Sequence, residues 1–206
     1  MKAAVSIIIV FLFVFCIQIC FAEGEITFNG IPWLTDEKTA QEILMDKGFM
    51  ISGSELSFQS ESRVYLIENE EIGYQPTSQQ KYNDVCKTIS LGDKAKGKSA
   101  GYPIKNIQLT FAYDGYYKLI AVTVEFIGAD YQTILNKLSN VYGKCETKSI
   151  EDEVIISNVW KGENNSAVQL YTESEGYDFT LIYGRTDAVE ILKKCLEIDS
   201  EETAGI

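Results

Sequence analysis

The stretch IKNIQLTFAYDGYYKLIAVTVEF, residues 104–126, leaves the backbone little choice. Ile107, Leu109, Phe111 and Tyr113 fall at every second position, and Ile120, Val122, Val124 and Phe126 do so again after Asp114-Gly115. A period of two sends alternate side chains to one side of an extended chain, and Asp-Gly makes a turn that tolerates positive φ. The segment therefore reads as a long antiparallel hairpin. One of its faces must be core. The other, carrying Gln108, Thr110, Thr123 and Glu125, meets either solvent or a second layer.

The cover for the apolar face comes from helices. Thr35 is the expected N-cap of a first one, with Asp36 and Glu37 at its positive start, Ala40, Ile43 and Leu44 on its stripe and Gly48 as its stop. Asp130 opens a second, whose stripe of Tyr131, Ile134, Leu135, Leu138, Val141 and Tyr142 recurs at helical spacing up to Gly143. Asp187 with Glu190 makes an Asp version of a capping box for a third, reaching about Leu196 and followed by an acidic tail, 199–206. Ile26 and Phe28 alternate in a short strand ahead of the first helix, and Val64 and Leu66 alternate within 50–75. Only the short VCKTISL is patterned within 76–100. A meander of strands is expected at 154–161, 166–172 and 177–183, divided by GENN and ESEG.

The fold class is therefore α+β, with antiparallel sheet packed by amphipathic helices. FNGIPWLTDEKTAQEILMDKGF and FIGADYQTILNKLSNVYGKC share Phe, one residue, Gly and then a capped helix ended by Gly, with strands after each. This points to two tandem helix-plus-sheet units, 23–128 and 129–198. The FNGIPW start before an acidic-capped helix, the helix ending VYGKC, and the later VW and LIY strands resemble exported bacterial proteins of the β-lactamase-inhibitory-protein-like and small outer-membrane-assembly lipoprotein type. The resemblance implies helical pairs on an antiparallel sheet, sometimes in tandem, and action by binding other proteins. The chain departs from that pattern in having Cys145 where such helices often run into Pro, and in lacking a lipobox before Cys20.

Residues 1–22 read as an address. Lys2 gives a short positive start, residues 5–19 are almost unbroken apolar, and Ala22 ends the block as a small residue suited to signal-peptidase cleavage. The mature chain is expected to begin near Glu23, with no membrane span of its own, in the periplasm, at the cell surface or outside the cell. Cys16 and Cys20 leave with the leader, and Cys86, Cys145 and Cys195 remain. An odd number in an oxidising compartment leaves at most one bridge and one free thiol, and the expected pair is Cys145 with Cys195.

Charge and composition restrict the chemistry. The formal charge is −12, which repels nucleic acid, and the chain has no His, the commonest general base and metal ligand. Histidine-based triads and histidine metal sites are thereby excluded, and neither a cofactor nor a metal is expected. GDKAKGKS, residues 92–99, fits the phosphate-loop pattern, but SAGYP follows it. Gly101 and Pro103 interrupt the helix that would have to point its positive end at a phosphate, so no nucleotide is expected. What is left there is a basic loop, Lys94, Lys96 and Lys98, able to touch anionic lipid head groups or an acidic partner patch.

Tyr116 and Tyr117 follow the expected hairpin turn and form an aromatic tip suited to a protein or a sugar. The candidate contacts are these two tyrosines and the three loop lysines. The expected function is a non-enzymatic exported protein that binds another protein. The alternatives are a carbohydrate or cell-wall binding module and a small hydrolase using the carboxylates of 68–71, 151–153, Glu173 and Glu175. N-terminal sequencing of the exported product is expected to start near Glu23; a Met1 start would mean the leader is retained.

Overall fold

The structure, a computed structural model, describes residues 24–49, 63–64, 66–67, 77–78, 85–91, 97–150, 155–173 and 178–204. The expected hairpin is its centre: β5 (Tyr102–Tyr113) and β6 (Tyr117–Phe126) pair antiparallel from Tyr113↔Tyr117 down to Ile104↔Phe126. Gly115 sits in the three-residue loop at φ 97°, the left-handed region that the turn requires. β3 (Cys86–Ser90) flanks β5 on one side, and the short β4 (Lys98–Ser99) pairs with the start of β5.

The remaining strands extend the sheet past β6. β7 (Glu146–Ile150), β8 (Ile155–Lys161), β9 (Ser166–Glu173) and β10 (Asp178–Arg185) form a meander, and β10 returns to pair antiparallel with β6. The result is an eight-stranded sheet ordered β3-β5-β6-β10-β9-β8-β7, with β4 beside β5. β1 (Arg63–Val64) and β2 (Thr77–Ser78) make a separate two-stranded ribbon. The chain is mixed α+β, and its sheet runs unbroken across position 128. The strand at 146–150 has no counterpart in the pattern reading, because ETKSI is an edge segment with one apolar residue.

One face of the sheet is apolar. Ile107, Leu109, Phe111, Leu119, Val122, Val124, Leu181, Val168, Leu170 and Trp160 are all buried there together with Ala40 and Leu44 of α1 (Glu37–Asp46) and Ile134 and Leu138 of α2 (Tyr131–Tyr142). α2 begins and ends where expected, with Asp130 accepting from the Thr133 amide and Gly143 closing it at φ 81°. Its stripe is narrower than the pattern implied, since Val141 is 70% exposed. α1 is capped by Asp36, not Thr35; the Asp36 carboxylate accepts from the Thr39 amide.

Residues 24–36 form no strand, in contrast to the expectation for Ile26 and Phe28. Asn29 and Gly30, at φ 52° and 77°, turn the chain too sharply for a ladder. Ile26, Phe28, Ile31 and Trp33 are nevertheless buried in the main core. Specific bonds hold the segment: the Ile26 amide donates to Ser166 Oγ at 2.7 Å, Glu163 N–H to the Gly24 carbonyl at 3.0 Å, and Trp33 Nε1 to the Ile26 carbonyl at 2.9 Å. A Cβ added at Gly162 would stand 2.7 Å from Ile26 and 2.8 Å from the Gly24 carbonyl, so this close approach requires the missing side chain.

The second face is buried as well, although it is polar. Thr110, Thr123 and Gln169 are almost fully enclosed, and their Oγ1, Oγ1 and Oε1 atoms find no partner among the described residues. Gln169 Nε2 donates to Ser157 Oγ at 2.7 Å. α3 (Ala188–Ala204) covers one end, placing Ala188, Val189, Leu192 and Cys195 against Cys86, Ala112, Ile120 and Ala121, while Ile67 packs with Val159, Ala167 and Ile182. α3 is longer than expected, taking up much of the acidic tail. Asp187 is bound sideways to Arg185, at 2.6 Å, and to Asn165 Nδ2 at 3.0 Å.

Leu109→Ala, at the centre of the hairpin, is expected to cost about 2–5 kcal/mol, and Asp130→Ala, which deletes only a cap, about 1 kcal/mol. Urea unfolding of the two variants beside the parent checks that order.

Candidate functional site

The hairpin tip and the start of α1 meet because the chain entering the helix pairs with β6. Leu34 N–H donates to the Leu119 carbonyl, and Leu119 N–H to the Thr35 carbonyl, both at 2.9 Å. This fixes Asp36, Glu37, Lys38 and Gln41 beside Tyr116 and Tyr117, and between them lies an open notch of ≈ 390 Å³.

The charges around the notch are compensated locally. Lys87 of β3 reaches Glu37 Oε2 at 2.5 Å and lies 5.0 Å from the centre of the Tyr117 ring. Lys118 Nζ bonds Asp114 Oδ2 at 2.6 Å and stands 4.3 Å from the Tyr116 ring centre. That hydrogen bond to Asp114 is the main reason the Lys118 ammonium is held above its ordinary pKa. A cation resting on an aromatic face is attracted by the ring quadrupole, so each lysine props one tyrosine.

The two predicted tyrosines therefore have different roles. Tyr117 is wedged between Lys87 and Tyr113, whose ring centre is 4.9 Å away, and it belongs to the scaffold. Tyr116 is presented, with 58% of its surface exposed. Tyr113, against Tyr117, and Leu34, at the entry to α1, are each 40% exposed. The alternation of β5 marked Tyr113 as a strand residue without showing that the strand ends there, at the surface. Asp36, Glu37, Gln41 and Lys87 carried no site signal in the sequence, since tertiary pairing brings them to the tip: residues 34–35 with Leu119 for the first three, and β3 with β5 for Lys87.

Of the three loop lysines, Lys98 is exposed on β4, and Lys94 and Lys96 lie outside the described residues. After Lys98-Ser99 the chain turns at Ala100 and Gly101, φ 52° and 86°, and enters β5. A strand thus follows where a phosphate loop would lead into a helix. The carboxylate runs 68–71 and 151–153, with Glu175, also lie outside the described residues.

A second polar cluster joins α2 to the far strands. Asn158 Nδ2 donates to Tyr131 Oη at 2.5 Å, Thr147 Oγ1 donates to Asn158 Oδ1 at 2.7 Å, and Cys145 Sγ lies 3.6 Å from that same Oδ1. Burial raises the Tyr131 pKa, and the network of amide, hydroxyl and thiol groups clamps helix to sheet. Among the described residues no three His, Cys, Asp or Glu side chains group as a metal site, and no helix is long and apolar enough to cross a membrane.

No protein-family model matches this chain. Neither does any curated protein or solved structure.

The Asp36 cap is pH-sensitive in a defined direction. The Thr39 amide, then the Thr39 hydroxyl, bonds the carboxylate and holds its pKa below 3.8. A depressed folded-state pKa means that the cap's contribution is complete above about pH 4 and is lost as pH falls through the depressed value. The Thr39 amide resonance, followed by NMR, is expected to titrate with a midpoint below 3.8; a midpoint above it would mean the cap is not formed.

Proposed function

We propose that this chain is an exported, non-enzymatic protein that binds another protein through the β5–β6 tip and the adjoining start of α1. The observation that carries the reading is Tyr116, exposed yet pre-organised, with Lys118 and Asp114 fixing it from behind. Protein interfaces concentrate their energy in a few aromatic anchors, and a tyrosine already immobilised loses little entropy on binding. The notch beside it is lined by helix and hairpin, the kind of support that holds a contact surface in place.

The tandem reading belongs to the same proposal. The first unit, 23–128, supplies β3, β5 and β6, and the second, 129–198, supplies β7 to β10. The units join edge to edge at β6 and β10, where Leu181 faces Val124 and Gly184 faces Ala121. Such a pairing would give a two-unit binder of the β-lactamase-inhibitory-protein-like type a rigid sheet from which to present a loop. Lys98, with Lys94 and Lys96, is the proposed second contact, suited to an acidic patch on the partner.

A cell-wall glycan is the second reading. Tyr116 leaves a ring open to a sugar, with the carboxylates of Asp36 and Glu37 and the amide of Gln41 beside it as hydrogen-bonding groups.

Tyr116→Ala is expected to weaken partner binding at least tenfold, about 1.4 kcal/mol, with thermal stability and circular dichroism unchanged. Capture from an envelope extract with parent and variant as paired baits measures this. Equal recovery of the same protein by both would remove the tip from the interface. Retention on peptidoglycan that depends on Tyr116, without a protein captured, would select the glycan reading.

A further inference from the structure

Cys86, Cys145 and Cys195 are free thiols in this structure, and two of them share one location. Cys86 opens β3 and faces the second side of the sheet, where the register sets it beside Ala112 of β5, which in turn stands beside Lys118 of β6. Cys195 belongs to the stripe of α3 that covers this row, and both cysteines are buried in the same cluster as Ala112 and Leu192. Cys195 acts electrostatically on the Cys86 thiol, and it is itself influenced by Asp114 and Lys118. Packing in that one cluster sets Cys195 of α3 against the end of the sheet where Cys86 and Ala112 stand side by side, on neighbouring strands about 4.8 Å apart. Ala112, with only a methyl group, leaves room between strand and helix.

Cys145 is on the other side of the sheet. It packs against the main core after α2, with its sulfur 3.7 Å from Thr147 Oγ1. The expected pairing of Cys145 with Cys195 is thus replaced: the sheet separates them.

We propose that Cys86 and Cys195 are joined by a disulfide in the exported protein, tying α3 to the edge strand β3 beneath the hairpin tip. The oxidant is a disulfide such as oxidised glutathione or an exchange catalyst, and its supply in the cell rests on the export reading. The Cys195 thiolate attacks one sulfur of oxidised glutathione, forming a mixed disulfide and expelling one glutathione thiolate. The Cys86 thiolate then attacks the Cys195 sulfur and expels the second. Two thiol protons and two electrons pass to glutathione, which leaves as two reduced molecules. The exchange precedes docking of α3, because burial in the finished fold pushes the Cys86 thiol up to about 12 and keeps it protonated. Once formed, the bond closes a loop of more than a hundred residues, a length at which a cross-link strongly restricts the unfolded chain.

The test is a thiol map of the full chain refolded with reduced and oxidised glutathione, beside the protein purified from the exported fraction. Peptide mapping is expected to join the Cys86 and Cys195 peptides and to find Cys145 alkylated. Reduction is expected to lower the melting temperature by roughly 10 °C in the parent and in Cys145→Ala, and to have no effect in Cys195→Ala. A bridge containing Cys145, or three alkylated thiols in chain that has regained native circular dichroism, would overturn the proposal. So would a bridge present after refolding but missing from the exported protein, a result that leaves binding by Tyr116 untouched. Should Cys195→Ala fail to fold, the map of the parent decides alone.

Discussion

The pairing of β6 with β10 is the interaction on which the architecture depends. β3, β5 and β6 come from one part of the chain and the four-strand meander from another, and among the described residues the ladder from Leu181↔Val124 to Gly184↔Ala121 makes them one sheet. It makes a single apolar face wide enough to take α1, α2 and the irregular segment 24–36 side by side. Without it each group of strands would expose an edge with unpaired amide and carbonyl groups and would have its own half-covered face. Gly184 fits this junction closely: a Cβ there would stand 3.2 Å from the Ile120 carbonyl.

The two faces of this sheet solve different problems. On the first, burial of aliphatic and aromatic side chains supplies the drive for folding. On the second, Thr110, Thr123 and Gln169 are enclosed with polar atoms that no described residue partners, and burying a polar group without a partner costs stability. α3 and Ile67 bring aliphatic cover to parts of that face, and small residues such as Ala112, Ala121, Ala167 and Gly184 allow them close to the sheet. The cluster around Cys86 and Cys195 is the apolar end of a polar surface, and it lies under the tip that presents Tyr116. A constraint on α3 at that point would therefore stiffen the base of the proposed contact surface.

The hairpin and α2 were legible because each depends on a local rule. Strict alternation through Ile107, Leu109 and Phe111 can satisfy only a strand, and Asp130 with a 3.6-residue stripe and Gly143 can satisfy only a helix. β7 was not legible, since an edge strand with Glu146, Thr147, Lys148 and Ser149 has no alternation to show. The segment around Ile26 and Phe28 misled for the opposite reason: its apolar spacing suits a strand, yet Ser166 and the β8–β9 turn hold it by side-chain and loop bonds. Of the site, Tyr116 and Tyr117 could be named from the Asp-Gly turn before them. Their division into a presented ring and a wedged one could not, because it follows from Lys118, Lys87 and Tyr113.

The amino-acid order by itself determined the class of fold, the central hairpin, the capped helix after it and the absence of histidine chemistry, because these follow from periodicity, capping and residue type within short windows. Tertiary structure alone decided that β10 returns to β6, that the polar face is buried, that α1 begins beside the tip, and that Cys195 lies with Cys86 and apart from Cys145. Each of these is a contact between residues far apart in the chain, whose free energy depends on shape and enclosure that no short window contains.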